Sequence, residues 1–246
     1  MKENFFAPIA SEYARYRPSY PDALFAWLAQ VAPGRQLAWD CATGTGQAAA
    51  SLVEHMEQVV ATDSSAEMLE QAPAHPRITY RQADALASGL ERGSMDLVTV
   101  ANAMHWFHGQ AFEQEVRHVL RPGGVIAAWS FAFASITPAV DLLTRRMHNV
   151  IVDPFWIGPN RIVEHGYVDL HFPFTPIEAP AFTMVSHLDL ATLEGYMRTW
   201  SASVKYQAHH GVDPVSLVHA ELFEAWGDPA AVRDVHWKLN LRVGRV

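Results

Sequence analysis

Apolar positions along the first half of the chain alternate between helical and strand periods. Residues 19–31, SYPDALFAWLAQV, place Leu24, Phe25, Leu28 and Val31 at helical spacing, with Pro21 near the first turn, where a missing N–H costs nothing. QLAWDCA (36–42) is a short apolar run that ends at a polar loop and predicts a buried strand. The alternation continues with a helix over 46–56, a strand over 58–63 and a helix over 64–72 that opens on serine with Glu67 in its first turn. Strands are predicted over 77–84 and 95–102. An amphipathic helix follows over 110–120, stopped by RPGG (121–124), and VIAAWSF (125–131) is a fifth strand. Apolar strands separated by helices imply a parallel sheet covered on both faces.

In such sheets a ligand binds outside the carboxyl ends of the strands. Three predicted strand ends carry acids: Asp40, Asp63 and Asp84. The loop after Asp40 reads CATGTGQ, so Gly44 and Gly46 allow close backbone approach where a helix begins. An acid after the second strand suits the two hydroxyls of a ribose, and Asp63 takes that role. Asp40 would repel a pyrophosphate and suits a cationic or zwitterionic group instead. An adenosine with a positively charged appendage and no phosphate describes S-adenosylmethionine better than NAD.

The second half reads differently. Thr137–Pro138 starts a helix through Val150, and the long aromatic stretch 153–167 that follows is expected to form a lid. A helix over 189–206 carries Tyr196, Trp200 and Tyr206, and another over 213–227 is capped by Asp213 and stopped by Gly227. VHWKLNLRV (235–243) alternates as a strand. The expected division is a leading cofactor-covering segment and first helix (1–35), a binding core (36–131), a lid insertion with helices (132–233) and a final strand (234–246).

Composition narrows the partners. The chain has 246 residues, 50% of them hydrophobic, with 18 Lys+Arg against 26 Asp+Glu and a formal net charge of -8. An acidic balance gives no overall drive toward phosphate backbones, so a small-molecule partner is expected and nucleic acid is not. No apolar run reaches the ~20 residues of a membrane helix, no membrane partner is expected, and the start lacks a secretion signal, so the expected compartment is the cytoplasm. The single Cys41 precludes an internal disulfide. None of the 13 His falls into a ligand spacing, so no metal is expected.

DCATGTGQ (40–47), ATDSS (61–65), QADA (82–85), DLVTVANAMHWF (96–107) and LRPGGVIAAW (120–129) together resemble the ordered motifs of class I S-adenosylmethionine-dependent methyltransferases. YARYRPSYP (13–21) and VHWKLNLRVGR (235–245) are similar to the small-molecule branch that includes trans-aconitate methyltransferase-like proteins. The resemblance implies a Rossmann-like seven-stranded α/β sheet, mostly parallel, with helices on both faces and an antiparallel last strand. It implies that Asp40 and the loop Ala42–Gly44–Gly46 face the methionine end of the cofactor, Asp63 the ribose, Ser64 the adenine surroundings, and Asp84 with Ala85 the adenine. Asn102 would line the sulfonium pocket, while Tyr13 and Arg17 would cover the cofactor, Arg17 by pairing with its carboxylate. Ala42 stands where the family usually has glycine, which predicts a slightly displaced loop.

The implied reaction is methylation of a small molecule, with O-methylation of a carboxylate, an acceptor that needs no base, favoured by the resemblance of the flanks to carboxylate methyltransferases. His105 is the candidate base for acceptors that do. Trp106, Trp200 and Arg198 are the candidate substrate-pocket residues. Two alternatives stand beside this reading. One is an NAD(P)-dependent oxidoreductase, since GTGQAA (44–49) loosely fits G-x-G-x-x-A; the other is a non-catalytic cofactor-binding protein of the same fold.

Overall fold

The computed structural model describes residues 7–131 and 133–246; the first six residues of the predicted covering segment lie outside the described residues. In chain order the elements are α1 (Ala10–Tyr16), α2 (Asp22–Val31), β1 (Leu37–Cys41), α3 (Gln47–Leu52), β2 (Gln58–Asp63), α4 (Ala66–Leu69), β3 (Ile78–Gln82), β4 (Met95–Ala101), α5 (Gln110–Val119) and β5 (Leu120–Phe131). The second half adds α6 (Pro138–Arg146), α7 (Gly158–Glu164), β6 (Thr175–Pro176), β7 (Thr183–Leu188), α8 (Leu190–Arg198), α9 (Ser201–His210), α10 (His219–Trp226) and β8 (Arg233–Arg245).

The strands form one sheet in the order β3-β2-β1-β4-β5-β8-β6, with β7 also paired to β8. β1 to β5 run parallel, and β8 returns antiparallel to β5, with Val125 opposite Arg245 and Phe131 opposite Leu239. Strand order reverses between β1 and β4, so the carboxyl ends of these strands form the crevice where ligands bind in open α/β sheets. β1 and β4 are almost wholly buried, as near-continuous apolar strands under two helical layers must be. Two apolar clusters result. One contains Leu24, Leu52, Leu97 and Trp129 and continues into Trp200, Trp226 and Trp237; the other contains Trp39, Val98, Phe112 and Tyr167.

Several predicted boundaries move. RPGG does not separate helix from strand: Leu120 pairs with Met95 and Val125 with Leu97, so Arg121–Gly124 bulges out of one continuous strand. The predicted helix 46–56 ends at Leu52. β6 and β7 were not expected; they pair with the outer edge of β8. The helix expected over 189–206 is two helices broken at Thr199–Trp200. There the Thr199 hydroxyl donates to the Tyr196 carbonyl (2.7 Å), and the Thr199 carbonyl accepts from Arg17 (3.0 Å), so side chains replace the helical ladder. The stretch 153–167 holds α7 within it.

Candidate active site

A cavity of about 350 Å³ opens over the carboxyl ends of β1, β2 and β4 and runs under α1 and α8. Its first half is built by the glycine loop. Ala42, Gly44 and Gly46 all take positive φ (55°, 58° and 81°), which turns the chain from β1 into α3. Ala42 therefore adopts the left-handed conformation in spite of its methyl group, at a cost of roughly 1 kcal/mol. Ala42 and Gly44 line the cavity. Gly46 does not: a Cβ there would lie 2.8 Å from the Tyr80 hydroxyl, so this glycine serves the packing of the loop on β3.

Asp63, at the end of β2, lines the cavity and organises the loop from across it. One carboxylate oxygen accepts from the Gly44 amide (2.8 Å) and the other from the Ser65 amide (2.9 Å). Burial pushes its carboxyl above the usual range against these hydrogen bonds. Ser64 and Ser65 follow at the rim; Ser65 caps α4 by accepting from the Met68 amide. Asp84 is exposed at the cavity mouth, where it accepts from the Leu86 amide (2.9 Å) with Ala85 beside it.

Asp40 is not in the cavity wall. It is completely buried, accepting from the Thr43 hydroxyl (2.5 Å) and the Thr99 hydroxyl (2.7 Å), and burial pushes its carboxyl up to about 6. It holds the loop from behind.

Beyond β4 the chain turns at Asn102, which sits at φ +50°, donates its amide to the Trp129 carbonyl (2.7 Å) and leaves its buried Oδ1 without a partner at the cavity wall. His105 and Trp106 follow in a short 3-10 turn, rings 4.8 Å apart, both lining the cavity. His105 is 4% exposed; burial, helped by nearby His108, lowers its imidazole to about 3, so the ring is neutral at physiological pH. Its Nδ1 lies 3.0 Å from the Tyr167 hydroxyl.

Tyr13 and Arg17 reach in from α1 and the residue that ends it. The guanidinium lies 4.5 Å from the Tyr13 ring and 5.4 Å from the Tyr196 ring, and its Nε donates to the Thr199 hydroxyl (3.1 Å). The far wall is aromatic and apolar: Leu193, Tyr196, Met197 and Trp200 recur at helical spacing across α8 and its break. Against Trp200 stand His148 and Trp156, with ring centroids 5.5 and 6.3 Å away.

Arg198 is a correction. One residue off that apolar stripe, it points to the opposite side of α8, pairs with Asp213 (2.8 Å) and Glu194 (3.6 Å), and borders a separate surface hollow beside Tyr16. His148, Trp156, Asn160 and Tyr167 were not singled out from the sequence. His148 stands in a π-helical turn after α6, closed by the Val152 amide on the Met147 carbonyl, and no short-range pattern announces such a turn. Among the described residues no cluster of three or more potential metal ligands is present, and no helix is long and apolar enough to cross a membrane.

The profile of a family described as a methyltransferase domain matches residues 38–124, the stretch that carries β1 to the RPGG bulge. A solved structure from Anaeromyxobacter dehalogenans, proposed to be a type II methyltransferase, is 39% identical, covers 94% of this chain and 98% of its own, and superposes with a TM-score of 0.86. The chain belongs to the class I methyltransferase family. A proposed methyltransferase of Dictyostelium discoideum is 27% identical over 90% of this chain and 86% of its own length. An uncharacterized methyltransferase of Mycobacterium tuberculosis is 39% identical over 48% of this chain and 49% of its own. This methyltransferase's doubly wound sheet and its loop of three left-handed residues are the features that the matched stretch encodes.

Proposed function

We propose that this methyltransferase uses S-adenosylmethionine and, as the trans-aconitate methyltransferase-like branch would, methylates a small molecule on a carboxylate oxygen, with a largely apolar body that suits the aromatic half of the cavity. The observation that carries the reading is one continuous cavity with two chemically distinct halves. One half has an acid and a glycine loop at the strand ends, and the other is an aromatic chamber with no acidic residue on its wall among the described residues.

The residues present fit the cofactor. Both Asp63 oxygens keep lone pairs beyond their backbone bonds for ribose hydroxyls. Asn102 Oδ1, buried and unpartnered at the cavity wall, would accept from the ammonium group, and Arg17 would pair with the carboxylate. The Gly44 amide already donates to the Asp63 carboxylate, so it is not free to bind a pyrophosphate, which disfavours the oxidoreductase alternative. When bound, S-adenosylmethionine supplies an already activated methyl group. The chain's own task is then to hold the acceptor in line at ~3–3.5 Å and to exclude water. Trp106, Trp156 and Trp200 furnish that dry wall, and the segment from Tyr13 to Arg17 covers the opening.

Calorimetric titration with S-adenosylhomocysteine should show micromolar binding that weakens at least ~10-fold in Asp63→Ala, the loss of one charge-assisted hydrogen bond pair. Absence of binding, or unchanged binding in the variant, would overturn the cofactor assignment. Turnover is then measured over a panel of aliphatic and aromatic carboxylic acids, phenols and amines. Ester products from the acids are expected.

A further inference from the structure

The site holds one arrangement that decides which acceptors it can serve. We propose that Tyr167 fixes His105 as the Nε2–H tautomer, so that the imidazole gives the cavity a hydrogen-bond donor for an acceptor that is already anionic, a carboxylate, and no lone pair for removing a proton. The substrate class rests on the methyltransferase reading; the tautomer does not.

The geometry is specific. His105 Nδ1 and the Tyr167 hydroxyl are 3.0 Å apart and both groups are buried, Tyr167 completely. The backbone N–H groups of Met104 and His105 also act on the hydroxyl oxygen as an acceptor, which leaves its own proton for Nδ1. Burial holds this phenol well above its ordinary range, so that proton stays. A neutral imidazole carries one N–H. With Nδ1 accepting, the N–H is on Nε2, and His105 is a wall residue of the cavity.

The fold spends strain to keep Tyr167 there. Gly166 and Tyr167 take successive positive φ values of 67° and 64°, rare for a bulky residue. A Cβ on Gly166 would fall 2.7 Å from the Asn240 side chain. From β8, Arg242 donates to the carbonyls of Tyr167 (2.8 Å) and Leu170 (2.6 Å), clamping the turn after α7. Tyr167 thus acts as a positioning residue through His105. Among the described residues the rings beside the imidazole are Tyr167 from this turn and Trp106 from its own, His108 lies nearby, and no carboxylate is paired with the ring to draw a proton onto Nδ1.

A phenol, thiol or amine acceptor must lose a proton to something, and His105 so held offers it nothing. A carboxylate loses none. One of its oxygens accepts from Nε2–H while the other is free to attack, and the aromatic wall takes the rest of the molecule.

The test begins on the free protein, labelled with ¹⁵N at histidine and read by long-range ¹H–¹⁵N correlation from about pH 5 to about pH 8. His105 should give the neutral Nε2–H pattern throughout, and Tyr167→Phe, which keeps the ring, should mix the two tautomers. An Nδ1–H pattern, or protonation within that range, overturns the proposal. The second arm compares His105→Gln, whose amide N–H reaches toward the Nε2 position but cannot act as a base, with His105→Leu. Against the carboxylic acid that wild type turns over best, His105→Gln should keep kcat/KM within about tenfold and His105→Leu should lose about a hundredfold, the range expected for one donor to an anion. Equal loss in both variants, or wild-type turnover of phenols in preference to acids, overturns it. Binding of S-adenosylhomocysteine is followed in parallel. If wild type does not bind it, the methyltransferase reading fails while the tautomer assignment stands on the spectrum.

Discussion

Ala42 shows how a single methyl group can mark a site. The loop between β1 and α3 needs a left-handed residue at this position, and the chain supplies alanine at φ +55°. Ala42→Gly removes the clash, and the gain should exceed the backbone entropy that glycine adds to the unfolded chain. The expected outcome is about 1 kcal/mol of added stability, read as a higher urea midpoint with an unchanged slope. A lower midpoint would show that the loop is unstrained. Asp63 and Gly44 were legible as residues of the cavity wall because strand ends and glycines are local features. Asp40 was misplaced by the same rule, which locates the end of a strand but not depth within it. It stands one residue before the end of β1, opposite Thr99 of the central strand β4, where only another buried side chain can reach it.

Elements reveal what long-range contacts override. The α8–α9 region reads as one helix because its apolar stripe continues unbroken from Leu193 to Trp200. The break comes from Arg17, 182 residues earlier, which takes the Thr199 carbonyl and hydroxyl. No window of sequence contains both partners. The same seam fixes α1: Tyr16 lies so close over Gly195 that an added Cβ would fall 2.4 Å from its ring. Gly195→Ala should therefore lift α1, and with it Tyr13 and Arg17, off the cavity. The gain in helix propensity, up to ~1 kcal/mol, offsets much of the lost packing, so global stability should move little. Affinity for S-adenosylhomocysteine should fall at least ~5-fold, corresponding to about 1 kcal/mol. Unchanged affinity would mean that α1 does not act as a cover. α7 and the strands β6 and β7 were missed for a related reason: β6 has two residues, and β7 is a strand by virtue of its partner β8 rather than of strong alternation.

At the scale of the molecule, burying a cavity between two helical layers and a sheet leaves two titratable groups in opposition. His105 is lowered to about 3 by burial, so below about pH 6.5 the unfolded chain takes a proton that the folded chain refuses. Its contribution is present above that pH and is lost as pH falls. Asp40 is raised to about 6, so between about pH 4 and about pH 6 the folded chain holds a proton that the unfolded chain releases. Its contribution is present at low pH and is lost as pH rises. Across that shared window each group alone would tilt stability by about 1.4 kcal/mol per pH unit, in opposite directions, and together they nearly cancel. His105→Gln should uncouple them. Relative to wild type, its unfolding free energy should rise by about 3 kcal/mol on going from about pH 6 to about pH 4, because only Asp40 remains. Asp40→Asn should show the reverse tilt, falling by a similar amount on acidification, whatever offset the substitution itself introduces. Urea unfolding at three pH values across the window measures both slopes. Curves parallel to wild type in both variants would mean that neither group is perturbed as its burial dictates, and the double variant should be nearly as flat as the parent.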